Sequence, residues 1–188
     1  IFEEYDPAKE ATAEIEKEIL NSDAVIDSAV IAKKWPDGLE IKIKEREQIA
    51  IFCQQNHCFE IDANGVIFDQ TANSLPADII VRQNQLIENL AVGEPVVHKN
   101  IMAAIYEIEK NLKENFKIDI AQALISTPIR LNITTSEGWD IYFDTGEDSN
   151  LSSQITKLNL LLKQEMSSEA RKNLEYIDLR FKDRAYYK

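Results

Sequence analysis

Glycine and histidine are scarce in this sequence, and the common catalytic motifs are missing as well. The 188 residues include five glycines and two histidines. There is no glycine-rich phosphate loop, no Gly-x-Ser-x-Gly nucleophile elbow and no His-Glu-x-x-His metal motif. Most carboxylates fall on the polar faces of predicted helices and strands, where a solvated side chain is far commoner than an acid–base catalyst. We therefore do not expect an enzyme, and we expect no cofactor.

Long apolar runs and excess positive charge are also absent. No run reaches the roughly 18 apolar residues that indicate a membrane-spanning helix. Hydrophobic residues make up 44% of the chain and charged residues 29%, a balance typical of folded globular proteins. The formal net charge of -12 argues against nucleic acid as a partner and against a polybasic contact with a membrane surface.

Cysteine occurs only twice, as Cys53 and Cys58. Predicted strands over 49–53 and 58–62 flank the loop 54–57, and if they pair, the cysteines face each other with Cα atoms about 4.5 to 5.5 Å apart. This geometry suits a disulfide, which would indicate an oxidising compartment. Free thiols remain an alternative, as does a zinc site with His57 and His98, although Cys-x4-Cys beside one histidine is a weak metal pattern. We predict the disulfide and no metal site.

The first part of the chain reads as a helix followed by a β-hairpin. Residues 8–20 carry their apolar side chains, Ala11, Ile15, Ile19 and Leu20, on one helical face. Two strands over 25–34 and 39–46 flank the turn Trp35-Pro36-Asp37-Gly38.

The rest of the chain predicts a β domain covered by helices. Apolar residues recur at three and four residue steps over 100–116, which predicts a helix, and Ser152 or Ser153 is expected to cap a second one. The predicted strands cover 49–53, 58–62, 66–68, 79–81, 122–126, 129–134 and 139–144, and a polar linker over 163–173 leads to a final strand. The fold class is therefore α+β, with an antiparallel β domain.

The last stretch, 174–188, shows the alternation of a half-buried strand. Ile177, Leu179 and Phe181 alternate with Tyr176, Asp178, Arg180 and Lys182. A terminal strand at a sheet edge has unpaired backbone groups that can accept a strand from another protein. Over 170–188, six basic residues outnumber three acidic ones, so this end either steers an acidic partner or forms an ordinary solvated rim.

Several segments, in this order and spacing, resemble the FtsQ/DivIB family of bacterial cell-division proteins. The matching stretches are 30–41 (VIAKKWPDGLEI), 45–46 (ER), 61–68 (IDANGVIF), 176–181 (YIDLRF) and 186–188 (YYK). The cysteine pair is not part of the general family pattern, and residues 71–94 match nothing in it.

The resemblance implies two extracytoplasmic domains and a membrane anchor. Residues 1–46 would be the C-terminal part of a POTRA domain, and residues 47–188 the β domain typical of the family. The POTRA domain's first strand and first helix, and the transmembrane helix, would precede this sequence. The protein would be a single-pass inner-membrane protein located at the division septum.

The resemblance also implies partners and a contact site. Family members are non-catalytic, bind the small bitopic proteins FtsB/DivIC and FtsL, and help recruit and regulate septal peptidoglycan synthesis. The partner adds as a strand to the last strand, near the preceding helix. The expected contact residues here are Asp178, Arg180, Phe181, Lys182, Arg184 and Tyr187.

Two other functions remain open at this point. A different POTRA-bearing interaction or chaperone module of the cell envelope would use the exposed edge of the first domain instead. A cell-wall hydrolase would require Cys53 close to His98 with an acidic third partner.

The disulfide is tested by intact mass spectrometry with and without reductant. We expect the chain to gain the mass of two hydrogen atoms on reduction, because opening one bridge adds one proton and one electron to each sulfur. An unchanged mass would contradict the bridge.

Overall fold

A computed structural model describes residues 7–71 and 78–188 of the chain, without the side chains of residues 7–10. The described helices are α1 (Pro7–Ser22), α2 (Lys99–Phe116), α3 (Leu151–Gln164) and α4 (Ser168–Arg171). The described strands are β1 (Ile26–Lys34), β2 (Gly38–Glu45), β3 (Ala50–Gln54), β4 (His57–Ile61), β5 (Ile67–Thr71), β6 (Ile80–Gln83), β7 (Ile120–Thr127), β8 (Arg130–Thr135), β9 (Asp140–Asp144), β10 (Tyr176–Asp178) and β11 (Tyr186–Tyr187).

Nine of the strands form one mixed sheet, in the order β11-β10-β9-β8-β7-β6-β3-β4-β5. The predicted α+β class is confirmed, but the sheet is not purely antiparallel as expected. The pairs β3–β6, β6–β7 and β9–β10 run parallel. Parallel neighbours need long crossover connections, and here α2 supplies the connection from β6 to β7 and α3 part of that from β9 to β10.

One face of this sheet is buried under α2 and α3. Alternate residues of β8 and β9 point into the core, where Leu131, Ile133, Ile141 and Phe143 have no exposed surface. The buried residues of α2 are Met102, Ala104, Ile105, Ile108 and Leu112, and those of α3 include Ile155, Leu158 and Leu162. Both helices are confirmed as predicted, except that Asn150, rather than a serine, caps α3 by accepting from the Ser153 N–H at 2.8 Å.

The short turn between β4 and β5 depends on Asp62 and Gly65. Asp62 Oδ1 accepts hydrogen bonds from the backbone N–H groups of Asn64 and Val66. Gly65 has φ +76°, and a Cβ there would collide with the carbonyl oxygen of Val97. This close approach lets residues before α2 pack against the β4–β5 turn.

The helix and hairpin at the start of the chain form a separate small unit. β1 and β2 make their own two-stranded sheet, and α1 covers β1, where Ala29 and Ile31 are buried. The apolar side chains that β2 places on the same face, Leu39, Ile41 and Ile43, are 50 to 58% exposed. The predicted helix and hairpin are confirmed, but α1 covers only half of the hairpin's apolar face.

Arg46 joins this unit to the nine-stranded sheet. Its guanidinium donates to the Asp62 carboxylate at 2.5 Å and to the carbonyl of Ala24 at 3.0 Å, and it lies 3.6 Å from Asp27. Asp62 is buried, so this ion pair sits in a partly desolvated junction.

The boundary predicted from the sequence, between residues 46 and 47, implies that residues 47–188 fold alone. The nine-stranded sheet and α2 to α4 find their packing partners within this range, so we expect cooperative unfolding. The fragment lacks Arg46, so the buried Asp62 carboxylate has fewer hydrogen-bond donors. We expect this loss to lower the free energy of unfolding of residues 47–188 by about 2 kcal/mol. Urea unfolding monitored by the fluorescence of the buried Trp139 measures this, and a non-cooperative transition would place the boundary elsewhere.

Candidate functional site

The final stretch of the chain forms two short strands rather than one long one. β10 has three residues and β11 two, and β11 folds back antiparallel to β10, with Ile177 opposite Tyr187 and Asp178 opposite Tyr186. The prediction of a continuous final strand over 174–188 is therefore wrong. A turn at Lys182 and Asp183 reverses the chain and lets β11 pair along the outer edge of β10. One end of the nine-stranded sheet is therefore β11, and the other is β5.

Asp178 and Arg180 bind each other instead of pointing outward. Arg180 donates from Nε to Asp178 Oδ1 at 2.8 Å and from Nη2 to Oδ2 at 2.6 Å. Its guanidinium lies 5.7 Å from the centre of the Tyr142 ring, and Arg130 lies 4.8 Å from the same ring. Tyr142 also stacks on Tyr176 at 5.5 Å. These side chains form a packed polar layer on the sheet face opposite α2 and α3.

The pKa of Asp178 reflects two opposing effects. Burial of the carboxyl group raises its pKa, but hydrogen bonds from the Arg180 side chain and backbone, with the charges of Arg180 and Arg130, outweigh burial and hold the pKa below its usual range. Asp178 is therefore a charged, internally paired group at neutral pH.

Four of the six predicted contact residues are exposed at one corner of the sheet. Phe181, Lys182, Arg184 and Tyr187 point to solvent together with Tyr186, and we call these five residues the C-terminal corner. The Phe181 and Tyr186 rings meet edge to face with centroids 4.9 Å apart, and both are nearly half exposed. The alternation places Phe181 on one strand face with Ile177 and Leu179, but Phe181 is exposed in the structure, because the chain has already left the sheet at that residue.

Helices α3 and α4 hold β10 and the corner in place. Lys157 of α3 donates to the carbonyls of Leu179 and Phe181 at the floor of a polar groove of about 460 Å³. Arg171 of α4 is buried and binds the Glu137 carboxylate with two hydrogen bonds, at 2.8 and 2.9 Å. The hydrogen bond from Arg171, opposed by burial, lowers the pKa of Glu137. This bridge anchors the segment that returns the chain to β10.

Cys53 and Cys58 are disulfide-bonded in the structure, with Cα atoms 4.2 Å apart. The predicted register, which places the two residues directly opposite each other, is confirmed, although the connecting turn has two residues rather than four. His98 instead caps α2 by accepting from the Asn100 N–H, so Cys53 and His98 do not form a nucleophile–base pair. Among the described side chains, those of residues 11–71 and 78–188, no group of three or more histidine, cysteine or acidic residues could hold a metal ion.

Several residues of this site carry no local sequence signal. Tyr142, Lys157 and Arg171 lie outside the predicted final strand, and Tyr186 is not among the predicted contact residues. Lys157 lies 22 residues from its partner Leu179, and Arg171 lies 34 residues from Glu137. Only a sheet topology that brings these segments together could have indicated the contacts.

Residues 50–180, more than half of the chain, match the family model described as "Cell division protein FtsQ/DivIB, C-terminal". The chain belongs to the FtsQ/DivIB family of cell-division proteins. The predicted family is therefore confirmed. The match covers β3 to β10 and ends beside the C-terminal corner.

Two known proteins of this family are similar to the chain. The curated cell division protein DivIB of Clostridium tetani (strain Massachusetts / E88) is 24% identical over 174 residues, which are 89% of this chain and 63% of that protein. The solved structure of the major extracytoplasmic domain of the trans isomer of DivIB from Geobacillus stearothermophilus is 11% identical, with a TM-score of 0.40, and the match covers 66% of this chain and 99% of that one. Within the residues described here, no helix is both long and apolar enough to span a membrane.

The Asp178–Arg180 pair predicts a pH dependence that Arg180→Met should remove. A carboxyl group whose pKa is lowered by folding stabilises the folded state above its ordinary pKa of about 4 and loses that contribution as the pH falls through the lower, folded value. Without Arg180, burial of the carboxyl group should raise the pKa of Asp178. The stability that this group loses as the pH falls below about 4 should then disappear.

Carboxyl ¹³C titration by NMR measures the pKa of Asp178 directly. Lys182→Met, which removes a neighbouring exposed cation, is the matched control and should leave the titration nearly unchanged. Equal Asp178 pKa values in the Arg180 variant and the wild type would contradict the assignment.

Proposed function

We propose that this FtsQ/DivIB family member is a non-catalytic scaffold of the division machinery. It binds FtsB/DivIC-like and FtsL-like bitopic proteins through the C-terminal corner and helps recruit and regulate septal peptidoglycan synthesis. The observation that carries the proposal is the exposed aromatic pair Phe181 and Tyr186 beside β11, the strand at the end of the sheet. Family membership supports the division role.

The corner offers a partner both backbone and side chains. A partner strand would pair with the outer edge of β11, where main-chain hydrogen bonds provide affinity and side chains provide specificity. Because β11 has only two residues, side chains must contribute much of the binding. Exposed aromatic residues such as Phe181 and Tyr187 are typical anchors of such interfaces.

The charge of the corner favours an acidic partner segment. Lys182 and Arg184 are exposed there, whereas Arg180 is neutralised by Asp178. Charges at the rim of an interface mainly raise the association rate, and their effect falls with ionic strength. Of the predicted contacts, Asp178 and Arg180 therefore bind each other and hold the site's backbone in place. The exposed cations, Lys182 and Arg184, attract the acidic partner segment.

The proposal includes the cellular setting and the domain division. The protein would be anchored by a transmembrane helix outside this sequence, with the described domains on the extracytoplasmic side at the septum. The unit of α1, β1 and β2 would be the C-terminal part of a POTRA domain, with residues 47–188 as the β domain. The half-exposed apolar side chains Leu39, Ile41 and Ile43 support this, since a further POTRA helix would cover them.

The same three side chains favour a second candidate function. In a POTRA-bearing interaction or chaperone module, β2 rather than the C-terminal corner would receive the partner. β2 is at the edge of a two-stranded sheet and is exposed along its whole length. Ile41→Glu should then abolish binding, whereas the proposed scaffold function predicts that Ile41→Glu leaves it unchanged.

The test of the proposed function is the double variant Phe181→Ala with Lys182→Glu. We expect the dissociation constant for the extracytoplasmic parts of the DivIC-like and FtsL-like partners to rise about thirtyfold, as for loss of an interface hot spot. Both side chains are exposed, so circular dichroism should stay native. Arg180→Glu is less informative, because it would place a second carboxylate beside the buried Asp178.

Tyr106→Ala with Lys110→Glu is the matched control. It makes the same kind of change on the exposed face of α2, where Tyr106 is 55% exposed. Isothermal titration calorimetry should give the control the affinity of the wild type. Equal affinities for the corner variant and the control would overturn the proposed site.

A further inference from the structure

The backbone between β10 and β11 is held from the side by a lysine of α3. The Lys157 ammonium donates to the carbonyl oxygen of Leu179 at 2.8 Å and to that of Phe181 at 2.5 Å. Leu179 also donates its N–H to the Tyr142 carbonyl of β9 at 3.0 Å. The residues just before the exposed Phe181 ring are thus tied both to the sheet and to the helix that covers it.

The Lys157 ammonium is partly buried and donates to both carbonyls. Burial lowers its pKa, while the negative charges of Asp183 and Asp178 oppose that shift. An ammonium group withdrawn from water is costly unless it is hydrogen-bonded, and hydrogen bonds from a charged donor are stronger than neutral ones. Lys157 therefore acts as a cross-link between α3 and residues 179–181.

This cross-link sets the position of the Phe181 ring. The segment from Arg180 to Ala185 lies outside the strands and beyond the bond from Leu179 to β9, so the register of the sheet does not fix its backbone. With the carbonyls of Leu179 and Phe181 turned toward α3, the Phe181 ring lies against Tyr186 with 47% of its surface exposed. Without the cross-link, the segment would sample other conformations, and only a fraction would present the two rings together.

We propose that Lys157 is a positioning residue for partner binding, which organises the C-terminal corner before the partner arrives. The inference rests on the proposed function and extends it, since Lys157 acts through the backbone of residues 179–181. Ordering a binding segment in advance removes an entropic cost that would otherwise reduce the affinity. The apparent dissociation constant rises in proportion as the competent fraction falls.

The test is Lys157→Met in the whole chain, with Lys163→Met as the matched control. Lys163 lies on the same helix, in its last turn, and is exposed, so both variants lose one positive charge from α3. We expect Lys157→Met to weaken binding of the DivIC-like partner about tenfold, mostly through slower association. Amide hydrogen exchange should become faster over residues 179–188 and stay unchanged in β7 to β9.

A structural role alone would not produce this pattern. Lower global stability would speed exchange throughout the sheet and leave the association rate of the folded protein unchanged. If Lys157→Met does not fold, Lys157→Gln, which keeps a donor of shorter reach, takes its place in the same comparison. Local loosening together with slow association, absent from Lys163→Met, supports the inference.

The Phe181→Ala/Lys182→Glu variant separates the two possible failures. If that variant loses binding while Lys157→Met binds at the wild-type rate, the positioning role is wrong and the proposed function stands. If that variant binds as tightly as the wild type, the proposed function is wrong, and the role of Lys157 in binding is overturned with it.

Discussion

Burial of one face of the nine-stranded sheet is the constraint on which the rest of this structure depends. The apolar residues of β8 and β9 must be covered, and α2 and α3 cover them by lying side by side on that face. Because α3 follows β9 directly and crosses the sheet, the chain returns beside β9 in the same direction, and β10 pairs parallel. The end of the sheet is thereby placed next to α3.

This arrangement explains why the C-terminal corner is both ordered and exposed. β10 lies between β9 and β11, so its own edge is already paired, and only the two residues of β11 remain at the sheet end. Short terminal edges limit unwanted strand pairing. The aromatic rings of Phe181 and Tyr186 add exposed apolar surface beside this short edge. Hydrogen bonds of Lys157, Asp178 and Arg180 hold the backbone between β10 and β11 in place.

Patterns within single elements were sufficient to predict much of the fold. The three-to-four residue spacing of apolar side chains located α1, α2 and α3, and alternation located β8 and β9, because these periods follow from helix and strand geometry alone. The mixed sheet was not predicted, since the direction of β6 and β10 depends on which strand each meets. The short helix α4 falls within the predicted polar linker over 163–173, because it has too few residues to show a period.

By itself, the sequence determined the family, the main helices, and the opposition of Cys53 and Cys58. Only the tertiary structure decided which of the last residues are buried and which are exposed. The same alternation that marks Ile177, Leu179 and Phe181 as one strand face holds only while the chain stays in the sheet. Beyond β10, Lys157 donates to the backbone carbonyls of Leu179 and Phe181, and the Phe181 side chain lies outside the core. Local periodicity carries no information about such a contact.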